Sequence, residues 1–203
     1  MFLFNPEETL VTSAFVGELD LVQKHSEFPH VKPMGIGNLE QAIQTFEYLS
    51  THPNTKQIVF LGSCGVYPWN ECKPGTIVSP NSVYTKELIA SLGLGKQLPM
   101  ERESYPLRQD PSFASGVCNA PTTITLHPLE NLPDPTWDSF AIENMELFGL
   151  AKVATLFQIP VTAYLVVTNT VGPSGSSEWQ SKWRAFSNQL QNLFLAHQSY
   201  KNR

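Results

Sequence analysis

Apolar residues fall into short blocks separated by polar and proline-rich stretches, and the blocks alternate between two periods. LVTSAFV (10–16) is continuous and β-rich, which suits a buried strand, and GELDLVQKH reads as a short helical turn that starts at Gly17. HVKPMGIGN (30–38) reads as a second strand running into a glycine turn. LEQAIQTFEYLS then carries apolar residues at 39, 42, 43, 46 and 49, a helical spacing. QIVFLG (57–62) is a short apolar run ending in GSCG, the pattern of a central strand that delivers a loop at its carboxyl end.

Residues 63–135 hold many of the 16 prolines and read as short strands and loops, among them KPGTIVSPNSVYT and TTITL, whose order the pattern leaves open. Regularity returns with a helix from about 142 to 158, Pro160 at the turn, and VTAYLVV as a strand. In SEWQSKWRAFSNQLQNLFLAHQSY, Trp179, Trp183, Phe186, Leu190, Leu193, Phe194 and His197 recur at three-to-four spacing, an amphipathic helix that would pack on the sheet. Strands alternating with helices predict an α/β fold with a largely parallel or mixed sheet. Ligands in such sheets bind beyond the carboxyl ends of the strands. Here those ends carry Glu18, Gly35 to Gly37, Gly62 to Gly65, and Thr168 with Asn169.

Composition narrows the function. A chain of 203 residues suits one domain spanning 1–203, and no apolar run reaches the roughly 18 residues of a membrane span. A net charge of -5, with 13 basic residues thinly spread, lacks the footprint of a nucleic-acid binder. Three cysteines without a CxxC pair, and a start without a basic leader segment, predict free thiols and a cytoplasmic protein. The expected partner is a small molecule or another protein chain.

Familiar motifs fail. The last glycine of GxGxxG falls on Glu40, LGSCG has Leu61 in place of the first glycine of GxSxG, and no Gly-Lys-Ser/Thr follows it. The five histidines show no HxH or HxxxH spacing, so a metal has no support. Glu143 and Glu146 remain. Three apart, they would share one side of a helix near its start, where the dipole favours carboxylates, yet burying an unpaired carboxylate is costly.

Four segments, in order, resemble the nucleoside phosphorylase and nucleosidase superfamily, which includes purine nucleoside phosphorylases, methylthioadenosine/S-adenosylhomocysteine nucleosidases and futalosine hydrolases. SAFVGELD (13–20) resembles its first strand with a glutamate, and MGIGN (34–38) its second glycine turn. IVFLGSCGVYPWNECKPGTIVSP (58–80) resembles its glycine-rich segment. ENMELFGLAKVATLFQIPVTAYLVVTN resembles the helix with Met-Glu at its start, a proline fourteen residues later, and a polar residue closing the next strand. The resemblance spans roughly 10–195. It implies a three-layer αβα fold around a mixed, partly barrel-like sheet.

It also implies roles. Glu18 would deprotonate the water that attacks the anomeric carbon, and Ser63, with Cys64 and Gly65, would line the water and base pocket. Glu146 would hold the ribose hydroxyls over Met145, strengthening its bonds as the sugar becomes oxocarbenium-like. Phe15, Ile36 and Trp179 would contact substrate, Trp179 as a lid over the 5′ group. Asn169 stands where adenine-specific nucleosidases carry an aspartate; an amide pairs better with a 6-oxopurine. Phe60 replaces a phosphorylase arginine, which favours water as nucleophile, and Leu165 replaces a nucleosidase arginine. The implied activity is hydrolysis of a 5′-modified purine nucleoside, futalosine in menaquinone synthesis. The alternatives are methylthioadenosine/S-adenosylhomocysteine cleavage, phosphorolysis, or an inert nucleoside-binding relative. No cofactor is implied, and a homodimer is expected.

Overall fold

The computed structural model describes residues 1–130 and 132–199; Tyr200, the end of the predicted last helix, lies outside them. Its core is the parallel pair β2 (Gln57–Val66) and β8 (Val161–Thr170), in register from Ile58↔Val161 to Cys64↔Val167 with a shift before Gly65↔Asn169. Both strands are apolar on both faces because helices or loops cover both, so they read as continuous runs in place of alternating ones. β1 (Thr9–Thr12) pairs parallel with the first half of β2, and β7 (Phe140–Glu143) antiparallel with its last two residues.

The remaining strands are β3 (Ile77–Val78), β4 (Ser82–Tyr84), β5 (Ser104–Pro106) and β6 (Val117–Asn119). The eight-stranded sheet runs β3-β8-β2-β7-β6-β4-β5, with β1 beside β2. Beyond β3, the Ser79 N–H donates to the Ala114 carbonyl at 2.8 Å and the Asn81 N–H to Gly116 at 3.2 Å. These bonds tie the chain after one edge strand to the chain before β6, so the mixed sheet curls toward a barrel there, as expected. The helices are α1 (Asp20–His25), α2 (Gly37–Thr51), α3 (Leu88–Ser91), α4 (Leu147–Leu156) and α5 (Gly175–Ser199). Leu190 and Phe194 of α5 are buried with Val59, Leu61 and Tyr164 of the sheet, while α4 closes the other main cluster with α2.

Four local expectations change. No strand forms over 30–38. The segment does lie along β1, with Lys32 N–H donating to Val11 and Met34 N–H to Ser13, but Pro33 brings no N–H and Gly35, at φ +101°, turns the chain away. TTITL is a loop, and the strand of that region is Val117–Asn119. The strand over 10–16 stops at Thr12. The helix expected from 142 begins only at Leu147, because Ile142 and Glu143 pair on both sides, with Val66 and Gly65 of β2 and with Cys118 and Asn119 of β6. Glu143 and Glu146 therefore do not share a helix face: one ends a strand and the other precedes a helix.

The apolar stripe of α2 also faces an unexpected way. Leu39, Ile43 and Phe46 are 71%, 43% and 51% exposed, whereas Gln41, Thr45, Tyr48 and Leu49 are buried. Asn38 sets that rotation, since its Oδ1 accepts from Gly149 N–H at 2.9 Å and its Nδ2 donates to Ala120 O at 2.7 Å.

Candidate active site

A cavity of about 310 Å³ opens beyond the carboxyl ends of β1, β2, β7 and β8. All ten residues singled out above (Phe15, Glu18, Ile36, Ser63, Cys64, Gly65, Met145, Glu146, Asn169 and Trp179) line it. Chain direction brings them together: parallel β1, β2 and β8 end on the same side, and antiparallel β7 hands Asn144 and Met145 to that edge as the chain turns into α4.

Glu18 sits in the tight turn after β1 and is 3% exposed. Its Oε1 accepts from both the backbone N–H and the hydroxyl of Ser63, each at 2.9 Å. Its Oε2 is buried with no hydrogen-bond partner, which leaves one carboxyl oxygen for a water or a substrate group. Burial, then the charge of Glu146, pushes the carboxyl up to about 8, against the lowering bonds from Ser63 and Ala14.

Glu146 stands at the N-cap of α4 and is 6% exposed. Oε1 accepts from Gly37 N–H at 3.0 Å, and Oε2 from Asn144 Nδ2 at 3.0 Å. Burial raises its pKa to about 7 in spite of those donors. Gly37 reaches it from a backbone at φ +83°, a conformation costly for any residue with a Cβ. Asn144, which the sequence reading passed over, organises this corner: its Oδ1 accepts from Glu146 N–H and Leu147 N–H, and its Nδ2 also donates to Ser63 O at 3.1 Å. An Asn just before an apolar helical run was the available signal.

On the far wall Asn169 Nδ2 donates to Thr170 O at 3.1 Å, which orients the amide, and the Thr168 hydroxyl is shared between Asn169 Oδ1 at 2.8 Å and Cys64 O at 3.1 Å. Trp179 of α5 donates its indole N–H to Ser63 Oγ at 3.1 Å and stacks on Trp183. Ile124 and Thr125, from the loop mistaken for a strand, also line the cavity, as does Glu143. Phe60 and Leu165 are fully buried in the core and do not reach the cavity. Among the described residues, the lining holds three glutamates and no Lys, Arg or His.

Such a cavity can polarise a water at Glu18, hold hydroxyls at Glu146 and stabilise positive charge between the two acids; it offers nothing to an anion. No family model matches the chain, and no curated protein sequence matches it. Solved structures do. The 5′-methylthioadenosine/S-adenosylhomocysteine nucleosidase of Neisseria meningitidis, in complex with methylthio-immucillin-A, is 13% identical, with 93% of this chain and 97% of that one covered and a TM-score of 0.74. The corresponding nucleosidase of Colwellia psychrerythraea, in complex with adenine, is 15% identical over 96% and 95% of the two chains, TM-score 0.74. The futalosine hydrolase of Helicobacter pylori is 10% identical over 96% and 97%, TM-score 0.75. With nearly whole chains superposed at such identities, what is shared with these nucleosidases and this hydrolase is the fold.

Proposed function

We propose that this protein hydrolyses the N-glycosidic bond of a 5′-modified purine nucleoside. The reading is carried by the buried, unpartnered Oε2 of Glu18 in the same cavity as Glu146. Glu18 takes a proton from a water as the water oxygen attacks C1′, the C1′–N9 bond breaks, and the bonding pair leaves with the purine, which takes up a proton at N7 from solvent. Glu146, bonded to the ribose hydroxyls, stabilises the oxocarbenium-like sugar in passing. Water is favoured over phosphate because a lining with three carboxylates and no cation repels a phosphate dianion.

Asn169 supports a 6-oxopurine leaving group: its oxygen accepts from a protonated N7 and its NH2 donates to the 6-oxo group. On that ground futalosine, with release of hypoxanthine, is the substrate we favour over methylthioadenosine. The test is chromatographic detection of free base from futalosine, inosine, methylthioadenosine and S-adenosylhomocysteine, with and without phosphate. Phosphate-independent hypoxanthine release is the expected result. Adenine release would move the assignment to the methylthioadenosine reading, and silence on all four substrates would leave an inert binder.

A homodimer is part of this reading. Ile36, Leu39, Ile43 and Phe46 recur at three-to-four spacing and are between 43% and 71% exposed, a stripe that starts at a cavity residue. A second copy covering it would also cover the cavity rim at Ile36. Light scattering of the wild type and of Ile43→Glu checks this, the variant being expected to run as a monomer. Three free cysteines support placing the protein in the reducing cytoplasm.

A further inference from the structure

Where the sequence pattern starts a helix at Gly17, α1 starts only at Asp20. Leu21 N–H and Val22 N–H, which a helix running back through Glu18 would give to Gly17 O and Glu18 O, donate instead to Oε1 of Gln191 in α5, at 2.9 and 3.3 Å. The other end of the same carboxamide donates from Nε2 to Gly17 O at 3.3 Å. Gln191 is thus inserted between Gly17 O and Leu21 N–H, the acceptor and donor that an α-helix would join directly. Its side chain comes from 170 residues along the chain and is 0% exposed.

Two more α5 side chains meet the same carbonyl. Arg184 Nη1 donates to Gly17 O at 2.8 Å, and the Ser187 hydroxyl donates to it at 3.3 Å. Three donors therefore converge on an oxygen with two lone pairs, in the peptide bond that leads into Glu18. Gln191 Nε2 also donates to Ser187 Oγ at 3.2 Å, which directs the serine hydrogen at Gly17. Trp183 lies so close over Gly17 that an added Cβ would come within 2.8 Å of its ring. Arg184, Ser187 and Gln191 all stand outside the cavity. The Arg184–Asp20 ion pair beside them is 44% and 36% exposed and contributes little by itself. A cross-link between α1 and α5 would need one end of the Gln191 amide; both ends are used, on either side of Glu18, and this fixes the path of the turn itself.

We propose that Gln191 is a positioning residue for the hydrolysis: its carboxamide holds residues 17–22 out of a continuous helix and so keeps the Glu18 carboxyl against Ser63. The proposal rests on the nucleosidase reading above and adds to it a residue that never meets the substrate. Without the amide, Gly17 O and Leu21 N–H are free to bond each other. A helix extended to residue 17 carries the side chain of residue 18 round its axis, away from the Ser63 N–H and hydroxyl that hold Oε1. A base misplaced by about 1 Å loses roughly 100-fold in rate.

The test is Gln191→Met, which keeps length and volume and removes both ends of the amide. It is compared with the wild type in kcat, in KM and in an NMR titration of the Ser63 amide proton, whose shift follows the ionisation of Glu18 because that N–H donates to Oε1. In the variant, kcat is expected to fall by about 10- to 100-fold with KM little changed, and the Ser63 signal to stop following Glu18. In a Glu18→Gln background the same substitution should cost no further turnover, since the group it positions is gone. A structural role alone would lower turnover equally in both backgrounds, or lower only thermal stability, and either result overturns the proposal. So does an unmoved Ser63 titration. Wild-type kcat in Gln191→Met overturns the proposal and leaves the nucleosidase reading standing. If the wild type hydrolyses no nucleoside, that reading falls, and the Ser63 titration alone decides: its loss in the variant supports the positioning of Glu18, and its persistence overturns it. Arg184→Met, an exposed substitution that removes the shortest bond to Gly17 O, should act in the same direction by less, and it decides the matter should Gln191→Met fail to fold.

Discussion

The indole N–H of Trp179 donates to the hydroxyl oxygen of Ser63 at 3.1 Å, and that hydroxyl donates to Glu18 Oε1 at 2.9 Å. With the indole on its lone pair, the Ser63 hydroxyl is directed at the carboxylate, which links α5 to the acid at the end of β1. Leu165 stays in the core and takes no part in this contact.

Trp179→Phe should therefore act through Ser63. Turnover is expected to fall about 10-fold, as for one lost neutral hydrogen bond. Because the Ser63 bond lowers the Glu18 pKa, loosening it should move the acid limb of kcat/KM to higher pH. A change in KM alone, with an unmoved limb, would show that the indole only contacts substrate.

Glu18→Gln removes the proposed base and little volume, so hydrolysis should drop by about 100-fold or more while the fold is kept. In the wild type, kcat/KM should rise with pH through a limb near 8, where Glu18 loses its proton. Glu146→Gln removes a like charge, so it should lower the Glu18 pKa; carboxyl NMR titration reads this without any turnover. An upward or absent shift would contradict the electrostatic link between the two acids.

Three buried acids make the fold sensitive to alkali. Glu18 is pushed up to about 8, and Glu143 and Glu146 to about 7, each from 4.5. The folded state thus binds these protons more tightly than the unfolded chain, and the stability this gives is complete below about pH 4.5 and lost as pH rises through 7 to 8. The thermal midpoint should fall by several degrees over that window, and Glu18→Gln should flatten the upper part. A midpoint constant from pH 5 to 8.5, or one that climbs, would show that these carboxyls are not strained by burial.

Gly149→Ala tests the seam between α2 and α4. An added Cβ would lie 2.0 Å from the carbonyl oxygen of Asn38, a backbone atom, so the helices must part. A loss of about 2–3 kcal/mol is expected, roughly 5–10 °C in thermal midpoint for a chain of this size. Since Asn38 neighbours Gly37, which donates to Glu146, the variant that still folds should also bind substrate less well.

The sequence by itself determined the central pair and the last helix, and its resemblance to a known family pointed to ten residues that the structure places around one cavity. Short, largely apolar runs at 57–62 and 161–167, bounded by glycine or proline, read as strands covered on both faces, and polar or glycine residues at the ends of such strands mark the functional edge. Tertiary structure decided what local pattern could not reach. Ile142 and Glu143 look helical beside the run that follows, and only pairing with β2 and β6 makes them a strand and turns Glu143 into the cavity. The stripe on α2 is a valid helical pattern, but which side faces inward depends on Asn38 meeting Gly149 and Ala120, more than 80 residues away. The three raised pKa values likewise belong to no residue alone. Burial and mutual charge produce them, and both exist only once distant segments have closed around one cavity.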